Sequence, residues 1–445
     1  MKAHVPWLAL LLLLPRAAAA AGQPDATLVD LSQAMTTLTG PWRFHAGDDR
    51  RWADPSFDDS GWERVDLSAP ASATDGDVGL PNYAPGWSAK GHPGYYGYAW
   101  YRIHLIVRAP LRKSLALLGP WEVESAYQVY ENGRLLGGVG NFSGATPAAY
   151  GDHYPTLFAL PPIARGDDAV VVAIRVWMGP WGVGPESGGV HIAPAIGERQ
   201  AVVAAYRLQW LTIFEGYVGD AVIALLFFLA ATAALCLQPF DRGGKAYPWL
   251  AAALMLSAIE RGNQAFFFWL NIETVPEYEL FIIALIGSLT LGAWMMAWRA
   301  WLEVTRPAWL PRAVAVLTAV LFAANLLDNP WLFHVDFPQL AAIGASYAIT
   351  TARLAFLLIF WWILYQGASR RGHEVWYALP PALAIGTVLF STELAAAHVP
   401  GIWFPWGIGV SLSEYASLAF VLLLSVLLLL RLWGYAGRLR PARLV

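Results

Sequence analysis

Ionisable side chains lie inside long apolar runs in the C-terminal half of this 445-residue chain. A charge buried in a bilayer costs about 3 kcal/mol or more, so such groups usually face the interior of a helix bundle and pair there. Their helical spacing predicts polar stripes that line a cavity with acidic walls and an arginine floor. The residues concerned are Glu215, Asp220, Glu260, Arg261, Arg353, Glu393 and Glu414.

Two interpretations of this intramembrane network stay open. In the first, the charges form a ligand pocket or an ion-pair switch with two states. In the second, they form a structural network that fixes how the helices pack and in which register. The second interpretation has more weight for Glu215, because this residue lies close to the membrane surface.

A second set of candidate residues is aromatic and lies in Gly- and Pro-rich loops of the N-terminal half. Flat rings on loops suit stacking against sugar rings or other apolar faces, with nearby acids or amides to fix the orientation. The alternative is that the rings pack against the bilayer or the helical part. The candidate ligand-binding residues are Trp87, Tyr95, Tyr96, Trp121, Trp177 and Trp181.

The composition restricts what these residues can do. Hydrophobic residues make up 57% of the chain and charged residues 14%, against roughly 45–50% and about a quarter in ordinary soluble domains. A single soluble domain, a disordered chain and a coiled coil are therefore excluded. The net charge of −3, with no long basic run, argues against nucleic acid as a partner.

Neither a metal site nor a cofactor is predicted. Cys236 is the only cysteine, so the chain has no disulfide framework and no thiolate metal site. No His and Glu residues show a spacing typical of metal ligands.

The chain divides into four segments. Residues 1–21 resemble a secretory signal, with a short polar start, an apolar run at 7–14 and small residues at 17–21; an uncleaved N-terminal anchor is the alternative. Residues 22–205 have a water-soluble composition and are predicted to form an exported domain. Residues 206–433 are predicted to form a transmembrane domain, and 434–445 a short basic cytoplasmic tail.

Seven segments are long and apolar enough for a membrane span of about 20 residues. They are 210–237, 248–270, 280–302, 313–332, 340–365, 376–397 and 408–433. Eleven Lys and Arg residues lie in one set of connections and in the tail, and none lies in the opposite set. Because basic loops stay in the cytoplasm, we expect a multi-pass inner-membrane protein with a periplasmic N-terminal domain and a cytoplasmic C-terminus.

Alternation of apolar and polar residues predicts strands at 100–107, 114–118, 125–130 and 169–177. Asn132-Gly133 predicts a two-residue hairpin turn, because both residue types accept a positive φ. The chain is therefore predicted to be α+β. An exported antiparallel β-sandwich is followed by an all-α bundle of seven transmembrane helices.

A series of short motifs occurs in order along residues 38–195. They are Trp42-Arg43-Phe44, Asp48, Trp52-Ala53, Phe57-Asp58-Asp59-Ser60, 62–67, Ala99-Trp100-Tyr101-Arg102 and 129–133. The series resembles the sugar-binding jelly-roll domain of β-galactosidase-type glycoside hydrolases. This resemblance implies a jelly roll that binds a carbohydrate. In those hydrolases the catalytic acids lie on a separate barrel, which this chain lacks, so no catalytic residue is predicted.

The arrangement of an exported β domain before seven spans resembles the bacterial seven-transmembrane receptors with diverse intracellular signalling modules. This resemblance implies a receptor that senses a small ligand or glycan. Only 12 residues follow Trp433, and the predicted cytoplasmic loops are too short for an enzyme domain. We therefore expect a separate cytoplasmic signalling protein as partner, besides the lipid bilayer, and no enzyme activity.

Two other functions stay open. A membrane-bound hydrolase or transferase acting on an envelope glycan would need two acids working as a pair, for which Glu122, Glu124 and Glu131 are candidates. A transporter could use the buried charges, although transporters usually show broken helices and internal repeats.

Overall fold

The computed structural model describes most of the chain. The described residues are 26–30, 34–74, 79–108, 114–151, 153–161, 167–180, 184–240, 245–270, 272–329, 339–371, 373–402 and 411–439. The predicted signal peptide, Trp181 and the end of the tail lie outside them.

The N-terminal part is built from β-strands. They are β1 (Thr27–Asp30), β2 (Met35–Thr37), β3 (Trp42–Ala46), β4 (Glu63–Val65), β5 (Gly97–Arg108), β6 (Leu115–Leu118), β7 (Val123–Glu124), β8 (Ala126–Glu131), β9 (Arg134–Val139), β10 (Leu157–Ala159), β11 (Asp167–Met178), β12 (Gly189–Val190) and β13 (Ala195–Glu198). The four strands predicted from alternation coincide with β5, β6, β8 and β11.

These strands form antiparallel sheets. The largest sheet has seven strands in the order β4-β3-β5-β11-β8-β9, and β1 pairs with β5 as its one parallel neighbour. A second sheet has the order β10-β6-β13-β2, and β7 pairs with β12. The prediction of antiparallel sheets is therefore confirmed, whereas the parallel β1 strand was not anticipated.

The two larger sheets share one hydrophobic core. Alternation along β5 directs Tyr101, Ile103 and Leu105 into this core, where Leu117 and Ile196 meet them from the second sheet. Full burial of such side chains contributes about 1.5–3 kcal/mol each. The N-terminal part is therefore a β-sandwich.

The opposite face of the large sheet is also covered. Residues 50–62 include a 3-10 turn, Arg50–Ala53, which begins at Asp49, whose side chain accepts a hydrogen bond from the Arg51 backbone. This segment lays Trp52 and Trp62 over Trp100 of β5. The large sheet is consequently buried on both faces at its centre.

The predicted hairpin turn joins β8 to β9. Asn132 has a φ of 47° and Gly133 a φ of 84°, which are the left-handed values that a two-residue hairpin turn requires. The Asn132 side chain also accepts a hydrogen bond from the Val171 backbone at 2.8 Å, so the turn is tied to β11. This prediction is confirmed.

The C-terminal part is helical. Its helices are α1 (Arg199–Leu237), α2 (Ala246–Trp269), α3 (Val275–Tyr278), α4 (Ser288–Trp301), α5 (Leu310–Asp328), α6 (Gln339–Arg371), α7 (His373–Leu389), α8 (Ser391–Ala396) and α9 (Leu412–Leu439), and a π-helix, Glu279–Gly287, joins α3 to α4.

Each predicted span overlaps a helix, but the helices differ in their capacity to cross a membrane. Among the described residues, five helical stretches are long and apolar enough: Arg199–Phe240, Val275–Trp301, Leu310–Asp328, Ile343–Ser369 and Leu412–Trp433. The predicted second span, α2, carries more polar residues, and the predicted sixth is divided at Phe390 into α7 and α8. Five such stretches are consistent with a multi-pass membrane protein, and the count of seven spans stays a prediction.

The β-sandwich is joined to the helices without a linker. Glu198 ends β13 and Arg199 begins α1, and Val202 of α1 packs against Leu118 and Ala195 of the sandwich. The Tyr154 hydroxyl also donates a hydrogen bond of 2.5 Å to the Phe267 carbonyl of α2. The sandwich therefore rests directly on the ends of α1 and α2.

Candidate functional site

The first intramembrane ion pair joins α1 to α2. Arg261 Nη1 lies 2.8 Å from Asp220 Oδ1, and Asp220 is completely buried. The second carboxylate oxygen of Asp220 has no hydrogen-bond partner among the described residues. This pair therefore leaves part of its hydrogen-bonding capacity unused.

The second ion pair joins α6 to α8. Arg353 donates from Nε to Glu393 Oε1 at 2.5 Å and from Nη2 to Glu393 Oε2 at 2.8 Å, a bidentate arrangement. Arg353 Nη2 also donates to the Leu389 carbonyl at 3.1 Å, where the chain breaks between α7 and α8. One arginine thus fixes both helices beside the break.

Two further carboxylates of the predicted network, Glu414 and Glu215, belong to neither ion pair. Glu414 accepts a hydrogen bond of 3.0 Å from the Ser411 backbone, and Ser411 Oγ accepts one of 3.4 Å from the Glu414 backbone. This reciprocal pair is a capping box at the start of α9, and the spacing Ser411-x-x-Glu414 could have predicted it from the sequence. Glu215 lies exposed on α1 and takes part in neither ion pair.

A cavity of about 360 Å³, lined by apolar and polar side chains, lies between the helices. Glu260, Arg261 and Arg353 line it, so the structure brings together three of the seven residues of the predicted network, with Asp220 and Glu393 as partners of the two arginines. Its volume lies in the range of small-molecule sites, roughly 300–1,000 Å³. The cavity is therefore a candidate binding site in the helical part.

Two of the loop aromatics of the sandwich pack against each other. Trp87 is buried in the core and donates from Nε1 to the Tyr95 carbonyl at 3.0 Å. The half-buried Tyr95 donates its hydroxyl to the Tyr98 carbonyl at 2.5 Å, and its ring lies edge-on to Trp87 at 5.6 Å. The neighbouring Tyr96 is 56% exposed. The ring of Tyr96 is thus the most accessible one in this loop.

Trp121 and Trp177 contact the helical part. Trp121 packs in a cluster with Tyr217 of α1, and Trp177 packs in a cluster that includes Val275 of α3. This is the packing role that we considered as the alternative to ligand stacking. Ligand contact by any of the six candidate aromatics stays a prediction.

A buried ionic network centred on Arg102 was not predicted from the sequence. Arg102 is completely buried, and its Nε donates to Asp59 Oδ2 at 2.7 Å while its other nitrogens donate to the carbonyls of Trp52, Asp54 and Phe57. His104 Nε2 lies 2.8 Å from the same carboxylate oxygen. Burial opposes the ionisation of Asp59, but the hydrogen bonds from His104 and Arg102 outweigh it and lower the pKa.

A second network of this kind is centred on Arg175 of β11. Its Nε lies 2.7 Å from Asp48 Oδ1 and its Nη2 lies 2.5 Å from Asp48 Oδ2, while Nη1 donates to Gln128 at 2.9 Å. The guanidinium also lies over the ring of Tyr98, 4.4 Å from its centre. The signal that could have found both networks is an arginine at an interior position of a long, otherwise apolar strand.

Two pairs of a glutamate and a histidine lie in the part of the sandwich that is close to the helices. His191 is completely buried, its Nε2 lies 3.3 Å from Glu124 Oε2, and its ring stacks on Tyr83 at 4.5 Å. Burial opposes the charged form of His191, but the Glu124 carboxylate outweighs it and raises the pKa.

The neighbouring Glu122 lies 3.5 Å from His153, whose ring contacts Phe268 of α2. Two of the acids considered for catalysis, Glu122 and Glu124, are therefore each beside a histidine. The third, Glu131, is buried and lies 3.7 Å from Arg134. Within the described ranges, no three His, Cys, Asp or Glu residues lie together in a way that could hold a metal ion.

No protein-family model matches the chain, and no curated protein matches it. Solved structures match its N-terminal part. A Bacteroides uniformis β-glucuronidase bound to cyclophellitol-6-carboxylate aziridine is 20% identical at a TM-score of 0.26, over 37% of this chain and 18% of that one. A Bacteroides vulgatus β-glycosidase is 20% identical at a TM-score of 0.25, over 36% and 20%.

The chain thus spans about a fifth of the length of these structures. These scores are too low to assign a family or an activity.

Proposed function

We propose that the protein is a membrane receptor module. The β-sandwich lies outside the membrane and binds a small glycan, and the helical part crosses the membrane seven times and transmits the signal to a separate cytoplasmic protein. The carbohydrate ligand is supported by the motif series from Trp42 to Gly133, which resembles a sugar-binding jelly roll.

The observation that carries the proposal is the direct contact between the sandwich and the helices. β13 continues into α1 without a linker, and Tyr154 and Ala149 bond to the backbone of Phe267 and Val275 on the helical side. A shift of the sandwich would therefore act on α1, α2 and α3 together. Rigid-body movement at such an interface is one established form of signal transmission.

The ion pair between Asp220 and Arg261 lies immediately below this contact. Tyr217 and Ala265 belong to the apolar cluster under the sandwich, and Asp220 and Arg261 follow about one helical turn deeper on the same two helices. A relative movement of α1 and α2 would stretch or exchange this ion pair. This position of the pair supports the proposal that it acts as a two-state switch.

The proposal is tested with the full-length protein in lipid nanodiscs. Spin labels are attached to Cys236, the only and exposed native cysteine at the end of α1, and to a Trp309→Cys substitution, an exposed position before α5. The probes are galactose, glucuronic acid, methyl β-glucoside and their disaccharides. We expect at least one sugar to bind and to shift the distance between the labels by about 1–2 Å or more.

A pair of tyrosine substitutions separates coupling from binding. Tyr154→Phe removes the hydrogen bond to Phe267 and should reduce the distance change while sugar binding persists. Tyr150→Phe, four residues away, is the control and should leave both unchanged. Failure of every sugar to bind, or binding with no distance change, would contradict the receptor proposal.

The orientation is tested separately. In a Cys236→Ser background, a Lys245→Cys substitution places a thiol at the exposed start of α2. A membrane-impermeant maleimide should label this thiol in inverted vesicles and not in intact spheroplasts. The opposite pattern would place the sandwich in the cytoplasm.

A further inference from the structure

The cavity between the helices combines an apolar wall with a few polar groups. Phe227, Leu291 and Ile385 contribute apolar surface, and Glu260 and Ser288 contribute oxygen atoms. This combination is typical of small-molecule sites, in which apolar groups provide contact area and a few polar groups fix the orientation.

Two irregular backbone segments border the cavity. The π-helix Glu279–Gly287 ends immediately before Ser288, and the break at Phe390 comes immediately before Ser391, and both serines line the cavity. π-helical turns are frequently found at functional sites. Irregular backbone at membrane depth is tolerated only where protein buries it or where it lines a cavity. The π-helix and the break at Phe390 therefore both border this cavity.

The charges around the cavity do not balance. Two arginines face three carboxylates, which are Asp220, Glu260 and Glu393. Arg261 is paired with Asp220, and Arg353 is paired with Glu393. Within the described part of the chain, Glu260 forms no ion pair within 4 Å, although it lines the cavity.

Ser288 provides a second, independent observation. Its side chain is 1% exposed, it lines the same cavity, and its hydroxyl has no hydrogen-bond partner among the described residues. A buried polar group without a hydrogen-bond partner is energetically unfavourable. A ligand that accepted or donated a hydrogen bond here would remove this cost.

We propose that this cavity binds a small amphiphilic primary amine. The ammonium group pairs with the Glu260 carboxylate and donates to Ser288 Oγ, and the apolar body lies against Phe227, Leu291 and Ile385. An anionic ligand is disfavoured, because the excess charge of the site is negative and each arginine already holds a carboxylate. This inference concerns a different ligand and a different site from the proposed glycan receptor, and does not depend on it.

The test uses three probes of nearly equal shape with the full-length protein in nanodiscs. 2-Phenylethylamine is cationic, 2-phenylethanol is neutral and phenylacetate is anionic, and binding is measured by calorimetry with empty nanodiscs subtracted. We expect saturable binding of the amine, at least about tenfold tighter than that of the alcohol, and no binding of the anion. Equal binding of the alcohol, or preference for the anion, would overturn the proposal.

Two variants connect the binding to the cavity. Glu260→Gln keeps the side-chain shape and should weaken amine binding at least about tenfold. The matched control is Glu215→Gln, an exposed carboxylate on α1, which should change it less than about twofold. Unchanged affinity in Glu260→Gln would contradict the assignment.

Ser288→Ala keeps the assignment testable if Glu260→Gln fails to fold. It removes only the hydroxyl, and should weaken amine binding by about threefold to tenfold while binding of 2-phenylethanol changes equally or less. Tighter or unchanged amine binding in Ser288→Ala would remove the serine from the proposed site.

Discussion

Both halves of the molecule bury arginine–carboxylate pairs, but they use the arginine differently. In the sandwich, Arg102 donates to Asp59 and to three backbone carbonyls. In the helical part, Arg261 donates to Asp220 alone among the described hydrogen bonds, and one oxygen of Asp220 has no partner. The saturated Arg102 holds residues 52–59 on β5 in one arrangement, whereas an arginine and a carboxylate joined only to each other can exchange partners.

The largest effect is expected from Arg102→Met in the sandwich. The substitution leaves the buried Asp59 without its arginine partner and removes the donor to the carbonyls of Trp52 and Phe57, so the free energy of unfolding should fall by about 3–5 kcal/mol. The measurement is urea-dependent pulse proteolysis of the full-length protein in proteoliposomes, following the sandwich fragment. Arg51→Met, at the exposed ion pair with Asp49, is the control and should have no measurable effect.

The second prediction compares the two pairs directly by double substitution. Arg261→Met should destabilise the helical part by about 3 kcal/mol, because it leaves Asp220 buried and unpaired. Adding Asp220→Asn should restore most of this loss, since the two groups serve mainly each other. Adding Asp59→Asn to Arg102→Met should restore little, because the carbonyls of Trp52 and Phe57 stay without their donor.

Thermal unfolding of the four variants, followed by proteolysis of each half, checks this second prediction. Equal recovery in both double variants would show that the two pairs do not differ in the way the hydrogen bonds indicate.

A smaller effect is expected from Gly133→Ala in the β8–β9 turn. Gly133 has a φ of 84°, and a left-handed backbone costs a residue with a Cβ roughly 1–2 kcal/mol. The nearest atom to an added Cβ is 3.5 Å away, so the loss would come from backbone conformation and not from a clash. Gly61→Ala, with nothing within 4 Å of its added Cβ, should cost nothing in the same unfolding assay.

The smallest effect is the pH dependence contributed by His191. Because its pKa is raised above the ordinary 6.5 by Glu124, against the effect of burial, the native sandwich holds the proton more tightly than the unfolded chain. Its stabilisation is therefore complete below about pH 6.5 and is lost as pH rises through the folded-state pKa.

His191→Gln should remove this loss of stability across the neutral range in the pulse-proteolysis assay. Asp59 gives the opposite dependence in acid, because its pKa is lowered and its stabilisation disappears as pH falls below 3.8. A neutral-range slope that persists in His191→Gln would assign it to another group.

Local patterns in the sequence predict much of the fold. Alternation locates β5, β6, β8 and β11, because each has one face in the sandwich core. Asn132-Gly133 identifies the hairpin, since the turn depends on these two residues alone. The parallel pairing of β1 with β5 joins residues about 80 positions apart, and nothing local in either strand specifies it.

The candidate site is predicted less completely. The sequence places Glu260, Arg261 and Arg353 at the depth of a cavity, but it cannot show that Arg353 pairs with Glu393, because this depends on how α6 meets α8. The π-helix and the break at Phe390 have no local signal that we recognise. Trp87 shows a further limit, because a Gly- and Pro-rich loop looks the same whether its ring is exposed or buried.

The uninterrupted passage from Glu198 into α1 makes the helix a rigid shaft. With 39 residues, α1 is about 58 Å long, nearly twice the thickness of a bilayer core of about 30 Å. Each residue inserted at the junction would rotate the shaft by about 100° relative to the sandwich. With α2 held on the sandwich through Tyr154, one added alanine would therefore turn Asp220 away from Arg261. Seven, close to two full turns, would restore the rotation but would displace Asp220 by about 10 Å along the helix axis.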